Sequence, residues 1–549
     1  MFRIEGENRA VTIGLSRTMQ VLSSTGNEAA VDLLLAALES PRSETRESAV
    51  RGLLERRSLR CQRALVQHWH TFDEPIKQIV AERPGRIHNA LRDALLGKDP
   101  KLCSNACDAV LWVREYDLFP VLLTATEDRA NPQADETART LLALAETLYE
   151  EFSSPRDYRI RRDPQLIRQH LLGHLDEAVA RYDQHRRVEV LDAFLLLTTR
   201  ENATLKRVLL NPHDKSFVRL IDVLTTSSRP GIMRLLLAFL DDPHAPHAAL
   251  SALGHRTDET FRRHLLKKLV EVTPAMKANL KRVESISWLR EDPRRLLPLT
   301  DDEQAAVITL ATASGLKRAA VYEVIQFLLL HGSVGGRRAA AQAIAEFTGP
   351  EVSQVVLAAI DDQDPQVQAN LLVQLRERGI PGAMTKLLEL ADSPHLIVRQ
   401  AVQHCLAEFS FKRYLAAFDM LSPSVRISTG ALVRKIDLET PAQIAVELQA
   451  PSRQRKQRAL EIVACLGIAT EVEPQLIELL ADDEPSIRLD ATQLLASCDS
   501  AETRQALRMA MLDRHAEVKS SAERALRSVT ETTEFKPRSL LPGTGGRST

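Results

Sequence analysis

A short phrase recurs through the C-terminal part of the chain at an almost constant interval. Asp361-Asp362-Gln363-Asp364-Pro365-Gln366-Val367 leads into an apolar helical pattern. So do Asp392-Ser393-Pro394-His395-Leu396-Ile397-Val398-Arg399, Ser422-Pro423-Ser424-Val425-Arg426, Asp482-Asp483-Glu484-Pro485-Ser486-Ile487-Arg488 and Asp513-Arg514-His515-Ala516-Glu517-Val518-Lys519. Measured between the apolar anchors, Val367 to Val398 is 31 residues, Val398 to Val425 is 27, Val425 to Ile487 is 62 and Ile487 to Val518 is 31. The long interval holds a worn copy, Ala450 to Lys456, with Arg455 at the anchor. A period of about 30 residues combined with helical periodicity means stacked helix pairs.

The words of the phrase have local causes. Ile487 is followed by Ala491, Leu494 and Leu495, and Val518 by Ala522, Ala525 and Leu526, the stripe of a helix that buries one face. Asp364, Ser393 and Ser422 can offer a side-chain oxygen to the first amides of the helix, and the proline after each suits the first helical position. An apolar helix precedes each phrase, as in Met384 to Leu390 or Gln475 to Leu480, and so short a connection makes the two helices antiparallel.

This pattern, a leucine-rich helix, then Asp-Asp-x-x-Pro-x-Val-Arg, then an Ala-x-x-Leu helix, resembles the HEAT repeat family. The likeness is to its short bacterial form, similar to the repeats of phycobilin lyases. The resemblance implies an all-α fold, an α-solenoid of stacked antiparallel helix pairs. It also implies a ladder in which the Arg after each anchor pairs with turn aspartates of a neighbouring repeat. Arg399, Arg426, Arg488 and Lys519 match the Arg position, and Asp361, Asp392, Asp482 and Asp513 the Asp position. Gln368 departs from the pattern, so the ladder is expected to break there. Architecture follows from the resemblance; function does not, because such arrays serve many unrelated tasks.

Composition agrees with thin helical layers. Aromatic residues make up 4% of the chain while 44% is hydrophobic, and no stretch shows the Val/Ile/Thr alternation of strands. The six cysteines, Cys61, Cys103, Cys107, Cys405, Cys465 and Cys498, lie mostly in apolar helices and read as reduced core thiols. Residues 1–24 lack the apolar core of a secretory signal, and runs such as Phe194 to Leu197 are too short to span a bilayer. A cytoplasmic protein with no membrane insertion is expected.

Five regions are expected along the chain: an irregular lead over 1–25, degenerate HEAT-like repeats over 26–152, a divergent helical region with a basic surface over 153–302, regular repeats over 303–530 and a disordered tail over 531–549. In the second region Ala30 to Leu38 pairs with Thr45 to Glu55, and Leu91 to Leu96 with Leu102 to Val113. Ser153 to Pro164 reads as a long loop, Leu166 to Leu250 as four or five helices, and Trp288 to Asp302 as a second irregular zone.

The net charge of −1 conceals an asymmetry: −3 over residues 1–150, +7 over 151–300 and −5 over 301–549. Arg262, Arg263, Lys267, Lys268, Lys281 and Arg282 form the densest basic stretch, with Arg290, Arg294 and Arg295 close behind. Arg263 and Lys267 are one helical turn apart, as are His264 and Lys268, so a stripe could receive phosphates or an acidic partner. A solvated helix face is the plainer reading. Arg453 to Arg458 is a second basic cluster in a repeat turn.

Signals of chemistry are weak. His170 and His174 are one turn apart, but the glutamate of a zinc-protease motif is missing, and Cys103 and Cys107 have no second pair in register. Some HEAT-like proteins are di-iron hydroxylases built on His-Glu dipeptides, and this sequence has none. Gly332-Ser333-Val334-Gly335-Gly336 lacks the downstream Gly-Lys-Ser/Thr of a phosphate loop. The expectation is a protein without catalytic residues, metal or cofactor, acting as an interaction scaffold for a protein partner. Nucleic-acid binding along residues 262–295 is the alternative, and an accessory resembling the bilin-lyase repeat proteins ranks third.

Overall fold

The structure, a computed structural model, describes residues 14, 17–155 and 162–534. Most of the expected lead, residues 156–161 of the expected loop and residues 535–549 of the expected tail lie outside the described residues. Residues 17–24 are helical, and the last helix, Ala516–Glu534, runs past the expected end of the array at 530. Among the described residues every regular element is a helix. The chain divides into two compact units, Met1–Val324 and Ile325–Thr549.

In the second unit, the helices that follow the phrase pack against one another in succession: Val334–Ala343, Pro365–Glu377, Leu396–Cys405, Pro423–Ile436, Arg453–Leu466, Pro485–Leu495 and Ala516–Glu534. The intervening helices Pro350–Ala359, Ala383–Leu390, Phe411–Ala417, Thr440–Leu448, Glu473–Leu479 and Ala501–Ala510 form a second layer. The anchors Val367, Val398, Ile487 and Val518 are buried between layers, as their helical stripe requires. Val425 is not; it is 41% exposed. The first buried residue on its helix is Gly430, where Tyr414 and Leu466 approach. The 27-residue interval before Val425, short of the usual 31, was the sequence's sign of that slip.

The helix starts follow local chemistry unevenly. Asp364 accepts hydrogen bonds from the amides of Gln366 and Val367, as expected. Ser393 does not cap, because His395 holds the cap position three residues before its anchor. Ser422 is at the cap position, but its hydroxyl makes no capping bond.

In two of the phrases the structure shifts the ladder by one residue from the sequence reading. The aspartate that pairs lies five residues before the anchor. Asp482 and Asp513 meet that condition; Asp361 and Asp392 sit one residue too early and pair instead with Lys386 and Lys435, at 2.8 and 2.6 Å. Asp362 takes the position in the first phrase and binds Arg337 through two hydrogen bonds of 2.7 and 3.1 Å. Lys456 reaches Asp482 at 2.6 Å, and Arg488 holds Asp513 at 2.7 and 3.0 Å while donating to the carbonyls of Asp482 and Asp483. Arg399 keeps only the local half of this role, donating to the carbonyl of Ser393, whereas Arg426 donates to those of Phe418 and Leu421 and pairs with Glu461 on the next helix at 3.3 Å. The matching positions in the next repeats are Met420 and Ala450, which offer no carboxylate. Opposite Gln368 stands Ser393, so neither side of that rung carries a charge. Lys519 ends the series with no ion pair among the described residues.

The Arg488–Asp513 rung is nearly dry, each side chain being 11% exposed. The Arg488 hydrogen bonds hold the Asp513 carboxyl at about 2, well below its ordinary 3.8, against the opposing effect of burial. A depressed carboxyl stabilises the fold above its unfolded value, and that contribution disappears as pH falls through the folded one. A loss of about 2 kcal/mol is therefore expected between about pH 4 and pH 2. Acid titration of the second unit's stability should show a shallower slope in that window for Asp513→Asn. An unchanged slope would remove the rung from the stabilising set.

The first unit uses the same layering with different fastenings. Ala29–Leu38 pairs with Ser43–Arg56, His88–Leu95 with Pro100–Val113, and Phe119–Glu127 with Ala134–Ser153. Between residues 164 and 255 there are more helices than expected, including Pro164–Ala180, Val188–Leu197, Ala203–Leu210, Phe217–Thr226, Pro230–Ala238 and His247–His255. Helix ends leave carbonyls without intrahelical partners. Here side chains of neighbouring repeats supply the donors: Arg56 to Leu22, Thr25 and Asn27, Asn105 to Val66 and Gln67, and Asn279 to Phe239, Leu240 and Asp242. Each unit is thus an all-α solenoid of stacked antiparallel helix pairs.

Candidate interaction surface

The basic stretch sits on the helix Glu259–Lys268 of the first unit. Asp258 caps it through the amide of Phe261, and Phe261, Leu265 and Leu266 turn inward. Two residues before the cap, Arg256 is buried. Its guanidinium donates to the carbonyls of Leu224 and Ser227 at 2.8 and 2.7 Å, pairs with Asp258 at 2.7 Å and lies 4.7 Å from the Phe261 ring centre. One buried cation therefore ties this helix to the end of Phe217–Thr226.

The backbone over 281–285 then passes between the helix His247–His255 and the connection that follows Asp301–Ala313. Gly254 lies so close to the Ser285 carbonyl that a Cβ would overlap it, and a Cβ on Gly315 would come 2.5 Å from the Lys281 carbonyl oxygen. The Gly315 amide donates to the Val283 carbonyl at 3.0 Å. Irregular backbone thus begins after the helix Pro274–Leu280, earlier than the expected Trp288, and includes two short 3-10 turns, Ser287–Arg290 and Pro293–Leu296.

This packing divides the expected basic stripe. Arg262 lies over the Trp288 ring, 5.6 Å from its centre. Arg263 pairs with Glu259 at 2.7 Å, and Lys268 turns away to Asp241 at 2.7 Å. Arg282 donates to the Asn279 side chain at 3.3 Å, and Arg295 is paired with Glu291. Lys281 is exposed at the end of Pro274–Leu280. Lys267 is exposed and has no ion pair among the described residues.

Sequence reasoning missed what faces Lys267. A groove of about 450 Å³ is lined on one side by Arg263, His264 and Lys267 and on the other by Thr300, Asp302 and Glu303, with Leu266 and Val270 between them. Thr300 and Glu303 form a capping box at the start of Asp301–Ala313. The acidic run over residues 301–303 is visible in the sequence as a helix start, but nothing in the sequence relates it to Lys267.

The remaining candidates carry no assembled chemistry. The His170 and His174 rings stack edge to face with centres 5.0 Å apart, and no group of three or more potential ligands is placed to hold a metal among the described residues. Cys103 and Cys107 are buried, and all six cysteines are free thiols. The glycine cluster at 332–336 forms the turn and first residues of Val334–Ala343. No described helix is long and apolar enough to cross a membrane.

Fold and surface together define a helical repeat protein. Residues 321–407 match the family model for HEAT repeats, so this stretch carries HEAT repeats. A comparison with curated proteins found no match. Among solved structures the chain is similar to a homology model of the full-length AP-3 complex in an intermediate open conformation (13% identity, 96% of this chain and 100% of that chain covered, TM-score 0.39). It is also similar to Kap121p (12% identity, 96% and 66% covered, TM-score 0.28) and to a chain of the Kap95:Nup1 complex (12% identity, 95% and 78% covered, TM-score 0.23).

Proposed function

We propose that this chain is a non-catalytic, cytoplasmic scaffold whose repeat surfaces dock a protein partner, with repeats of the short bacterial HEAT-like form. The observation that supports a protein partner over a nucleic acid is the state of the basic stretch. Polyphosphate binding draws on cations that release counterions when they meet phosphate. Arg262, Arg263, Lys268 and Arg295 are already engaged within the chain, and carboxylates stand across the groove from Lys267. Trp288, the one aromatic nearby that could stack on a base, is 3% exposed. A stacked array also lets a partner spread its contacts over several repeats.

The test is affinity capture from native lysate at low and high salt, with and without nuclease. A defined protein should remain after nuclease and high salt. Recovery of nucleic acid alone, only at low salt, would reverse the assignment.

A further inference from the structure

The groove beside Lys267 has walls of opposite sign. Arg263, His264 and Lys267 form the wall contributed by Glu259–Lys268. The facing wall is the first turn of Asp301–Ala313, where Asp301, Asp302 and Glu303 crowd the helix start. These carboxylates complement the positive end of the helix, so this terminus presents negative charge and does not invite an anion. No ion pair crosses the groove: Lys267 and Asp302 are both exposed and neither has an ionic partner among the described residues. Between the walls, Val270 is 64% exposed above the buried Leu266. A volume of about 450 Å³ falls in the range of ligand sites, about 300–1,000 Å³.

Each feature restricts the occupant. A polyphosphate would meet Asp302 and Glu303, and a purely basic segment would meet Arg263 and Lys267. An uncharged apolar segment would cover Lys267 and Asp302 without pairing either, which carries a desolvation cost. We propose that this groove binds a short peptide segment of the partner that presents a carboxylate to Lys267, an aliphatic side chain to Val270 and a basic side chain to Asp302. The +7 charge of residues 151–300 draws the acidic side of such a segment toward the groove from a distance. The inference rests on the protein-scaffold reading and gives it a location and a recognition pattern.

The test uses the 549-residue chain and synthetic peptides with a central leucine flanked by glutamate on one side and lysine on the other, by two glutamates, or by two lysines. A matching set has serine in place of leucine. The wild-type protein should bind the mixed peptide best and lose it when leucine becomes serine. Asp302→Lys should move the preference to the two-glutamate peptide, and Lys267→Glu should move it toward the two-lysine peptide. Such gains cannot come from an unfolded variant. Val270→Glu should weaken all leucine peptides by about tenfold.

Ranking of the peptides by net charge alone, no binding by any peptide, or unchanged preferences in the charge variants would overturn the proposal. The two readings fail separately. Lysate capture that is indifferent to Val270→Glu removes the groove and leaves the scaffold, whereas wild-type capture of no protein removes the scaffold itself.

Discussion

Arg256→Met is expected to destabilise the first unit by about 3 kcal/mol, the low end of the cost of removing one partner from a buried charged cluster. Methionine retains much of the apolar stem but none of the donors. The carbonyls of Leu224 and Ser227 would then be buried without partners, and Asp258 would lose the cation at its side. Asp258 can still find water, which keeps the effect from being larger. Because a chain of two units need not unfold in one step, the readout is local. Hydrogen exchange should accelerate first in Glu259–Lys268 and in the end of Phe217–Thr226. Arg256→Lys should give an intermediate result, since one ammonium cannot reproduce the guanidinium fork. Wild-type protection in Arg256→Met would mean that the cluster does not hold the helix in place.

Gly254→Ala is expected to cost a comparable amount, about 3 kcal/mol, for a different reason. The added methyl meets the Ser285 carbonyl, which is backbone and cannot rotate away like a side chain. Relief requires the 281–285 segment to move off the helix, and Gly315 on its other side limits that movement. A shift of Trp288 follows, because it lies directly downstream and carries Arg262 over its ring. Tryptophan fluorescence should therefore change along with stability. Gly173→Ala is the control: a Cβ there meets nothing within 4 Å, so a helix-interior alanine should be neutral or stabilising. Equal stability of Gly254→Ala and wild type would contradict the close approach.

The second unit was legible because its repeat is written in local chemistry. Turn, cap and apolar stripe all fall within one phrase, so a short window reveals both helices. Where the phrase was ambiguous the reading slipped. Asp361-Asp362 offers two adjacent aspartates, and only the distance to Val367 tells which one meets Arg337. At Val425 the anchor was correctly spaced from its own turn, but burial depends on where the neighbouring helices reach, which the phrase does not encode.

The first unit after residue 164 was harder to read for a physical reason. Its repeats are joined by single buried donors, Asn279 to three carbonyls and Arg256 to two, and such bonds leave no periodic trace in sequence. The candidate groove was half visible. Its basic wall stands out as a charge run, whereas its acidic wall is 35 residues further on, from Lys267 to Asp302. The two meet because the helices Glu259–Lys268 and Asp301–Ala313 pack on each other, with the intervening 281–285 segment held close against Gly254 and Gly315. A charge count sees a basic surface; the fold places acid opposite it.

The most direct test of the scaffold assignment is hydrogen–deuterium exchange on the complex captured from nuclease-treated lysate, compared with the free chain. Docking along a repeat surface is expected to protect exposed positions in at least two consecutive repeats, with the protection persisting at high salt. Protection that appears only at low salt and only with nucleic acid present, or no change in exchange anywhere in the repeats, would contradict it.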